Sequence, residues 1–316
     1  MLLIFKYTKH HNYIVSKIIA NGYFKNEFVL QIDTCTNRQN VVSKLIYDVK
    51  NIFIWFYCRI LLLIGCKIDI LLPHPEQLLS NLFFYSDNIR NRYIYEDGLM
   101  NYVDVKLTGL ILRRANKRKK LSYILFYKYN LVNGYLSGCE DKKIKGIFVQ
   151  YPELIYKSYA HGTLNKITIE GESYSGGSES VLFIDQDIES YYGYEIANSL
   201  RLKLYNSLSN QELVYVKRHH DYFSKPSSQI KQPHNFTEIN ESLRSLTAED
   251  IVGIIKPNLV VGFFSSALMN IATRYQGIKC YCCLPESHIV NCYLGRQPLS
   301  YLLSKFGVSC IDELNN

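Results

Sequence analysis

The sequence predicts an α/β protein of two lobes, each built on a parallel sheet. Short apolar runs of strand length alternate with longer stretches whose apolar residues recur at helical spacing. That alternation begins afresh near residue 146. The chain has 316 residues, and at roughly 150 residues per domain this leaves room for two domains.

In the first half, Leu2–Tyr7 reads as a buried strand, Thr8-Lys-His-His11 as the turn after it, and Tyr13–Ala20 as a helix. Phe28–Ile32 reads as a second strand, and Val41–Tyr57 carries helical spacing. Lys67–Leu72 is a strand closed by Pro73-His74-Pro75, and Arg92–Tyr95 is another, closed by Glu96-Asp97-Gly98. The stretch from Ile52 to Leu72 is the most apolar of the chain. It contains Arg59, Lys67 and Asp69, so it is read as a buried helix followed by a strand and not as a membrane span.

In the second half, Lys145–Gln150 and Val181–Ile184 read as strands flanking a Gly- and Ser-rich loop, Gly171–Gly177. Tyr194–Leu208 is a helix. Leu213–Val216 is a strand running into Lys217-Arg218-His219-His220-Asp221, and Ser224–His234 is a polar loop. Leu259–Gly262 is a strand entering Phe264-Ser265-Ser266, and Ala267–Tyr275 a helix. Lys279–Leu284 and Pro298–Phe306 complete the pattern as strand and terminal helix. Strands alternating with helices argue for parallel sheets covered on both faces. Two such units joined near residue 146 make a two-lobed protein with a cleft between the lobes.

Hydrophobic residues make up 47% and charged residues 20%, which excludes a disordered or collagen-like chain. The net charge of +8 is unevenly spread: residues 1–150 carry 22 Lys and Arg against 11 Asp and Glu, and the remainder 14 against 17. A basic first half suits an anionic surface or ligand. Six cations fall within the eight residues Arg113–Lys120, a foothold on anionic lipid or a solvated helix end. No aromatic interleaving or nucleic-acid motif accompanies them, so nucleic acid is not an expected partner. Nine cysteines without a framework are read as reduced thiols. The opening lacks a basic n-region and a cleavage site, so no signal peptide is expected.

Ligands of parallel sheets collect at the carboxyl ends of the strands. The polar residues there are Thr8 and His11, His74, Glu96-Asp97-Gly98, Asp185-Gln186, Lys217–Asp221 and Ser265-Ser266. Ser265-Ser266 at a helix start offers hydroxyls, free N–H groups and the positive end of a dipole, an anion site or a plain N-cap. Lys217-Arg218-His219-His220 offers cationic donors at a second strand end. Glu96 and Asp97 are adjacent, and neighbouring side chains point apart. One therefore faces the cleft while the other anchors the loop, and Gly98 permits the turn. No phosphate-binding glycine loop or magnesium-spaced carboxylate cluster appears. Cys280-Tyr-Cys282-Cys283, near His288 and Cys292, alternates faces on an apolar strand and reads as core packing more readily than as a zinc site.

In this order the pieces resemble the bacterial sialyltransferases with acid-acid-Gly, His-Pro and Ser-Ser or Ser-Thr motifs, as in glycosyltransferase families 52, 38 and 80. Tyr95-Glu96-Asp97-Gly98 with Asn101-Tyr102 is similar to the first motif, and Gly262-Phe-Phe-Ser265-Ser266-Ala267-Leu268 to the third. Tyr215-Val-Lys217-Arg218-His219-His220 stands where the family has a strand ending in Lys-Pro-His-Pro, with Arg218 and His220 in place of the prolines. The opening, with Thr8-Lys-His-His11, is similar to the family's Thr-Pro-Tyr-His start.

The resemblance implies a GT-B fold of two facing Rossmann-like lobes. Residues 1–146 would form the acceptor side and 147–316 the CMP-sugar side, with the terminal helix returning to the first lobe. It implies an inverting sialyltransferase moving N-acetylneuraminic acid from CMP-N-acetylneuraminic acid, with no metal or other cofactor. The acceptor would be a terminal galactose of an O-antigen, capsule or lipooligosaccharide, with α2,3 linkage. Glu96 or Asp97 would deprotonate it. His219, with His220 as substitute, would donate to the departing phosphate. Lys217, Arg218, Ser265, Ser266 and Gly98 would serve the donor side, and Thr8, His11 and His74 the acceptor side. The expected location is cytoplasmic, peripheral at the inner membrane through Arg113–Lys120. The alternatives are a polysialyltransferase extending sialic acid chains, a CMP-Kdo transferase, and a non-catalytic nucleotide- or sugar-binding protein.

Overall fold

The protein is described by a computed structural model covering residues 1–34, 41–106, 109–156, 160–218 and 231–315. It divides into two compact units. Unit 1 comprises Met1–Thr168 with Asn291–Gly295, and unit 2 the remainder.

Unit 1 carries strands β1 (Leu2–Lys6), β2 (Val29–Asp33), β3 (Ile68–Leu72), β4 (Ile89–Tyr95), β5 (Ile144–Val149) and β6 (Thr163–Lys166). They form one sheet in the order β2-β1-β3-β4-β5-β6, every pair parallel. Helices α1 (Lys9–Ala20), α2 (Val41–Leu63), α3 (Leu78–Tyr85) and α4 (Gly109–Ser122) supply crossovers. Leu2 to Phe5 and Ile70 to Leu72 are fully buried, as strands covered on both faces must be, which is why they read as unbroken apolar runs.

The chain leaves β1 toward β2 on one side and leaves β3 toward β4 on the other. The switch point of the sheet therefore lies between the carboxyl ends of β1 and β3, where open α/β sheets hold their ligands.

Three expectations are corrected here. Ile144–Val149 does not open the second unit. It pairs with β4, because its apolar run completes the first sheet, and the division between units falls after Thr168 and not near residue 146. The stretch from Ile52 is helical but buries one face only, through Asn51, Trp55, Cys58 and Leu62. Asn51 there bonds both the N–H and the C=O of Asp33, at 3.0 and 2.6 Å, and so pins the end of β2. Arg118, one of the six clustered cations, turns inward and pairs with Glu76.

Unit 2 begins with β7 (Glu172–Ser173) and β8 (Ser178–Asp185), then α5 (Glu189–Tyr192), α6 (Tyr194–Ser207), β9 (Leu213–Arg218) and β10 (Phe236–Glu238). There follow α7 (Glu241–Arg244), α8 (Ala248–Ile255), β11 (Pro257–Gly262), α9 (Ser266–Arg274), β12 (Tyr275–Gln276) and β13 (Lys279–Cys282). The last elements of the chain are β14 (Ile289–Cys292) and β15 (Gly295–Pro298), of which Asn291–Gly295 counts with unit 1, then α10 (Leu299–Ser304) and β16 (Val308–Cys310) in unit 2.

The main sheet runs β10-β9-β8-β11-β13-β16, again all parallel. Its switch point lies between β8 and β11. Val181, Phe183, Val214, Val216, Val261 and Phe263 fill the core beneath it. The terminal helix α10 packs on β16 within this unit, because Leu302 and Leu303 are buried there. Each unit is thus the parallel, helix-covered sheet that a GT-B chain carries twice. Cys280, Cys282 and Cys283 are buried free thiols, packing as core residues.

Candidate active site

In unit 1 the residues after three neighbouring strands come together. Thr8 follows β1 and caps α1, its hydroxyl accepting the N–H of His11 at 3.2 Å. The cap fixes the first turn of the helix and so the direction of the His11 ring. Tyr7 packs on this ring and on His74, with centroids 6.3 and 6.2 Å apart, and Tyr95 meets His11 edge-on at 5.3 Å. His74 follows β3, buried between Pro73 and Pro75.

Both imidazoles aim at Asp97. His11 Nε2 lies 2.8 Å from Asp97 Oδ1, and His74 Nε2 lies 3.4 Å from Oδ2. The tautomers follow from the far side of each ring. Tyr7 N–H donates to His11 Nδ1 at 3.1 Å, and Glu76 N–H donates to His74 Nδ1 at 3.3 Å. A nitrogen that accepts a backbone N–H carries no proton, so in both rings the proton sits on Nε2; His11 donates it to Asp97, and the His74 Nε2 lies beside the same carboxylate at 3.4 Å.

Burial lowers the His74 pKa to about 4, against the smaller opposing pull of Asp97, so this ring is neutral in the physiological range. Burial alone would raise the Asp97 carboxyl, but the electrostatic pull and hydrogen bond of the His11 N–H, and then the electrostatic pull of His74, outweigh this and hold it well below the usual carboxylate range.

Glu96, one residue away, has the opposite environment. It is completely buried. Tyr102 O–H and Gln150 N–H donate to Oε2 at 2.6 and 2.7 Å, and Gln150 Nε2 donates to Oε1 at 2.6 Å. Burial is the largest influence and raises its pKa to about 7 in spite of these donors. The Asp97 side chain keeps 22% of its surface open. Gly98, at φ 64°, turns the chain out of the strand, and Asn101 accepts the Asp97 N–H at 2.6 Å. Asp97 is therefore the accessible carboxylate and Glu96 the anchor.

In unit 2, Lys217 and Arg218 close β9 and Ser265-Ser266 follow β11, with β8 between them. Lys217 and Gly262 are both level with Ile184 in the register, two strand spacings or about 10 Å apart. Ser265 caps α9, its Oγ accepting the Ala267 N–H at 3.2 Å. Lys217 Nζ donates to Arg244 O at 3.2 Å, and Arg218 Nε pairs with Glu238 at 2.5 Å. Asp185, at the end of β8, is held by buried Arg201 at 2.5 Å. Phe264, beside Ser265, packs on Tyr191, Tyr192 and His288 at 4.6, 5.8 and 5.9 Å. His219 and His220 lie outside the described residues.

Thr8, His11, His74, Glu96, Asp97 and Gly98 thus gather in unit 1, and Lys217, Arg218, Ser265 and Ser266 along one sheet edge of unit 2. Gly98, expected on the donor side, sits beside Asp97. Sequence reading missed Gln150, whose signal was its place directly after an apolar strand, and the Glu76–Arg118 pair, which carried none.

Removing the Glu96 carboxylate would strand three buried donors. Glu96→Ala is expected to lower the thermal midpoint by several degrees, at roughly 1 kcal/mol or more per orphaned donor, with Glu96→Gln milder. A carboxyl whose folded pKa lies above its ordinary 4.5 contributes stability that is fully present below that value and lost as pH rises through about 7. Denaturant unfolding between pH 5 and 8 is expected to show this fall in the wild type and a smaller one in Glu96→Gln. Equal falls would contradict the assignment.

No curated protein matches the sequence. Among solved structures, the spinosyn rhamnosyltransferase SpnG is similar at 11% identity and TM-score 0.44, over 98% of this chain and 86% of that one. MurG of Acinetobacter baumannii is similar at 10% identity and TM-score 0.35, over 98% and 86%. The wall teichoic acid polymerase TagF is similar at 7% identity and TM-score 0.37, over 86% and 68%. These likenesses are too distant to bear on chemistry. The family model of alpha-2,8-polysialyltransferase matches residues 2–284, which take in the acidic pair, the strand ending at Arg218 and the Ser265-Ser266 turn. This chain therefore belongs to the alpha-2,8-polysialyltransferase family of sialyltransferases.

Proposed function

We propose that the protein is an inverting sialyltransferase that moves N-acetylneuraminic acid from CMP-N-acetylneuraminic acid to a glycan hydroxyl. The observation that carries the reading is the ionised, accessible Asp97, which accepts the His11 Nε2–H with the His74 ring 3.4 Å away, beside the switch point of its sheet. Such a carboxylate is positioned to take the acceptor proton. It is a weak base at rest. The acceptor oxygen becomes acidic only as its bond to the anomeric carbon forms, so proton transfer is late and a weak base suffices. As that bond forms, the bond from carbon to phosphate oxygen breaks, and CMP leaves with the electron pair.

The leaving group carries one phosphate. Ser265, Ser266 and the first turn of α9 supply hydrogen-bond donors for it, Lys217 and Arg218 positive charge, and His219, with His220 as substitute, a proton. On this reading the transfer needs no metal. Tyr191 and Phe264 offer aromatic faces for the cytosine beside that turn.

Asp97→Asn is expected to cut CMP release by at least about a hundredfold with folding intact, while Glu96→Gln stays within about tenfold. Full activity in Asp97→Asn would refute the role. A wild-type protein that binds CMP but releases none from the donor would be a binding protein.

Two acceptors are proposed. The motif resemblance favours a terminal galactose in α2,3 linkage on an O-antigen, capsule or lipooligosaccharide. The family's description favours chain extension on an existing sialic acid. Mass spectrometry of products on galactoside and sialoside acceptors separates them: a single addition to the galactoside, or a ladder on the sialoside.

A further inference from the structure

We infer that unit 1 docks on anionic lipid through the outward face of α2, with the cations of α4 beside it. Ile46, Val49, Phe53, Tyr57, Ile60 and Ile64 are all exposed, Phe53 to 70% and Ile64 to 69%. At 100° per residue they share an arc of roughly 80°, opposite the buried Asn51, Trp55, Cys58 and Leu62. A surface helix normally shows the reverse pattern, polar outward. This one has apolar residues on both faces, and the outer stripe has no cover among the described residues.

The segment that follows α4 meets α2 at Arg59 and at the buried Trp55. Arg59 on α2 donates to Phe126 O at 2.7 Å, and the Trp55 and Tyr127 rings lie 6.2 Å apart, so the end of α4 adjoins α2. There Tyr123, Ile124 and Phe126 are exposed, Phe126 to 85%. Arg113, Lys117 and Lys120, at i, i+4 and i+7, share the exposed face of α4. Ala115 and Ser122 are buried on its other side, and Arg118 is turned toward Glu76.

Charge decides the occupant. Exposed apolar side chains with a row of cations on the adjoining helix match the acyl boundary and headgroups of an anionic bilayer. Self-pairing of this face through a twofold axis would bring the cation rows of two copies together. Among the described residues no helix is long and apolar enough to cross a membrane, so α2 lies in the interface plane, apolar face down. The inference stands apart from the donor chemistry.

The test is cosedimentation of the full chain with vesicles of phosphatidylcholine alone or mixed with phosphatidylglycerol. Binding to the anionic vesicles only is expected. Phe53→Asp with Ile60→Asp should weaken it at least about tenfold. Arg113→Gln, Lys117→Gln and Lys120→Gln together should weaken it about a hundredfold, at roughly one tenfold step or less per cation. CMP release with a soluble acceptor should be unchanged in both, which separates this result from failure of the proposed reaction. Hydrogen exchange of the unaltered protein adds a readout without substitution, in which residues 46–64 gain protection on adding anionic vesicles. Equal binding to both vesicle types, variants that bind like wild type, or unchanged exchange would overturn the inference. So would a wild-type dimer that the α2 variant dissociates, which would assign the face to a second copy.

Discussion

The site in unit 1 depends on the direction of two N–H bonds. His11 and His74 each accept a backbone amide on Nδ1, so each carries its proton on Nε2, which His11 donates to Asp97 at 2.8 Å and His74 holds 3.4 Å from the same carboxylate. The backbone that makes those amides is itself fixed, by the Thr8 cap on one side and the two prolines around His74 on the other. Asp97 is thereby kept ionised in a place where burial alone would neutralise it. Its neighbour Glu96 meets a dry pocket and gains affinity for its proton despite three donors. Two adjacent acids acquire opposite characters because successive side chains leave a strand end in opposite directions, and Gly98 then carries the chain away without blocking Asp97.

Topology explains why these residues are close at all. His11 follows β1 and His74 follows β3, the two strands that flank the switch point of the first sheet. Asp97 follows β4, the next strand. In unit 2 the same rule picks the ends of β8 and β11, where Asp185 is neutralised by Arg201 and Ser265-Ser266 remain as the polar groups of the α9 turn. Each sheet thus offers one crevice edge, acidic in the first unit and suited to an anion in the second.

Much of this was legible in the sequence. Unbroken apolar runs marked the parallel strands, and the polar residues after them marked the edges, so Thr8, His11, Asp97 and Ser265-Ser266 could be named from spacing alone. Strand alternation also predicted that one acid of the pair would anchor and the other would face out. It could not say which, because that depends on Gln150 and Tyr102, whose approach is a matter of packing. His74 was readable as a strand-end residue, but its aim at Asp97 rests on the pairing of β3 with β4. The boundary near residue 146 failed because a strand's apolar run does not reveal which sheet it joins. Arg118 looked like one more surface cation, and its turn toward Glu76 has no local signal. The outward face of α2 was hidden because an apolar helix reads as buried whichever way it points.

On the proposed reaction Asp97 takes the acceptor proton, kept ionised by the hydrogen bond from His11 and the nearby His74 ring, both of fixed tautomer. Nitrogen-15 NMR of the histidine rings at neutral pH tests it most directly. The arrangement predicts that His11 and His74 both carry their proton on Nε2, with Nδ1 bare, and that both resonances move when Asp97 is replaced by Asn. A proton on Nδ1 of either ring, or resonances indifferent to that replacement, would contradict it.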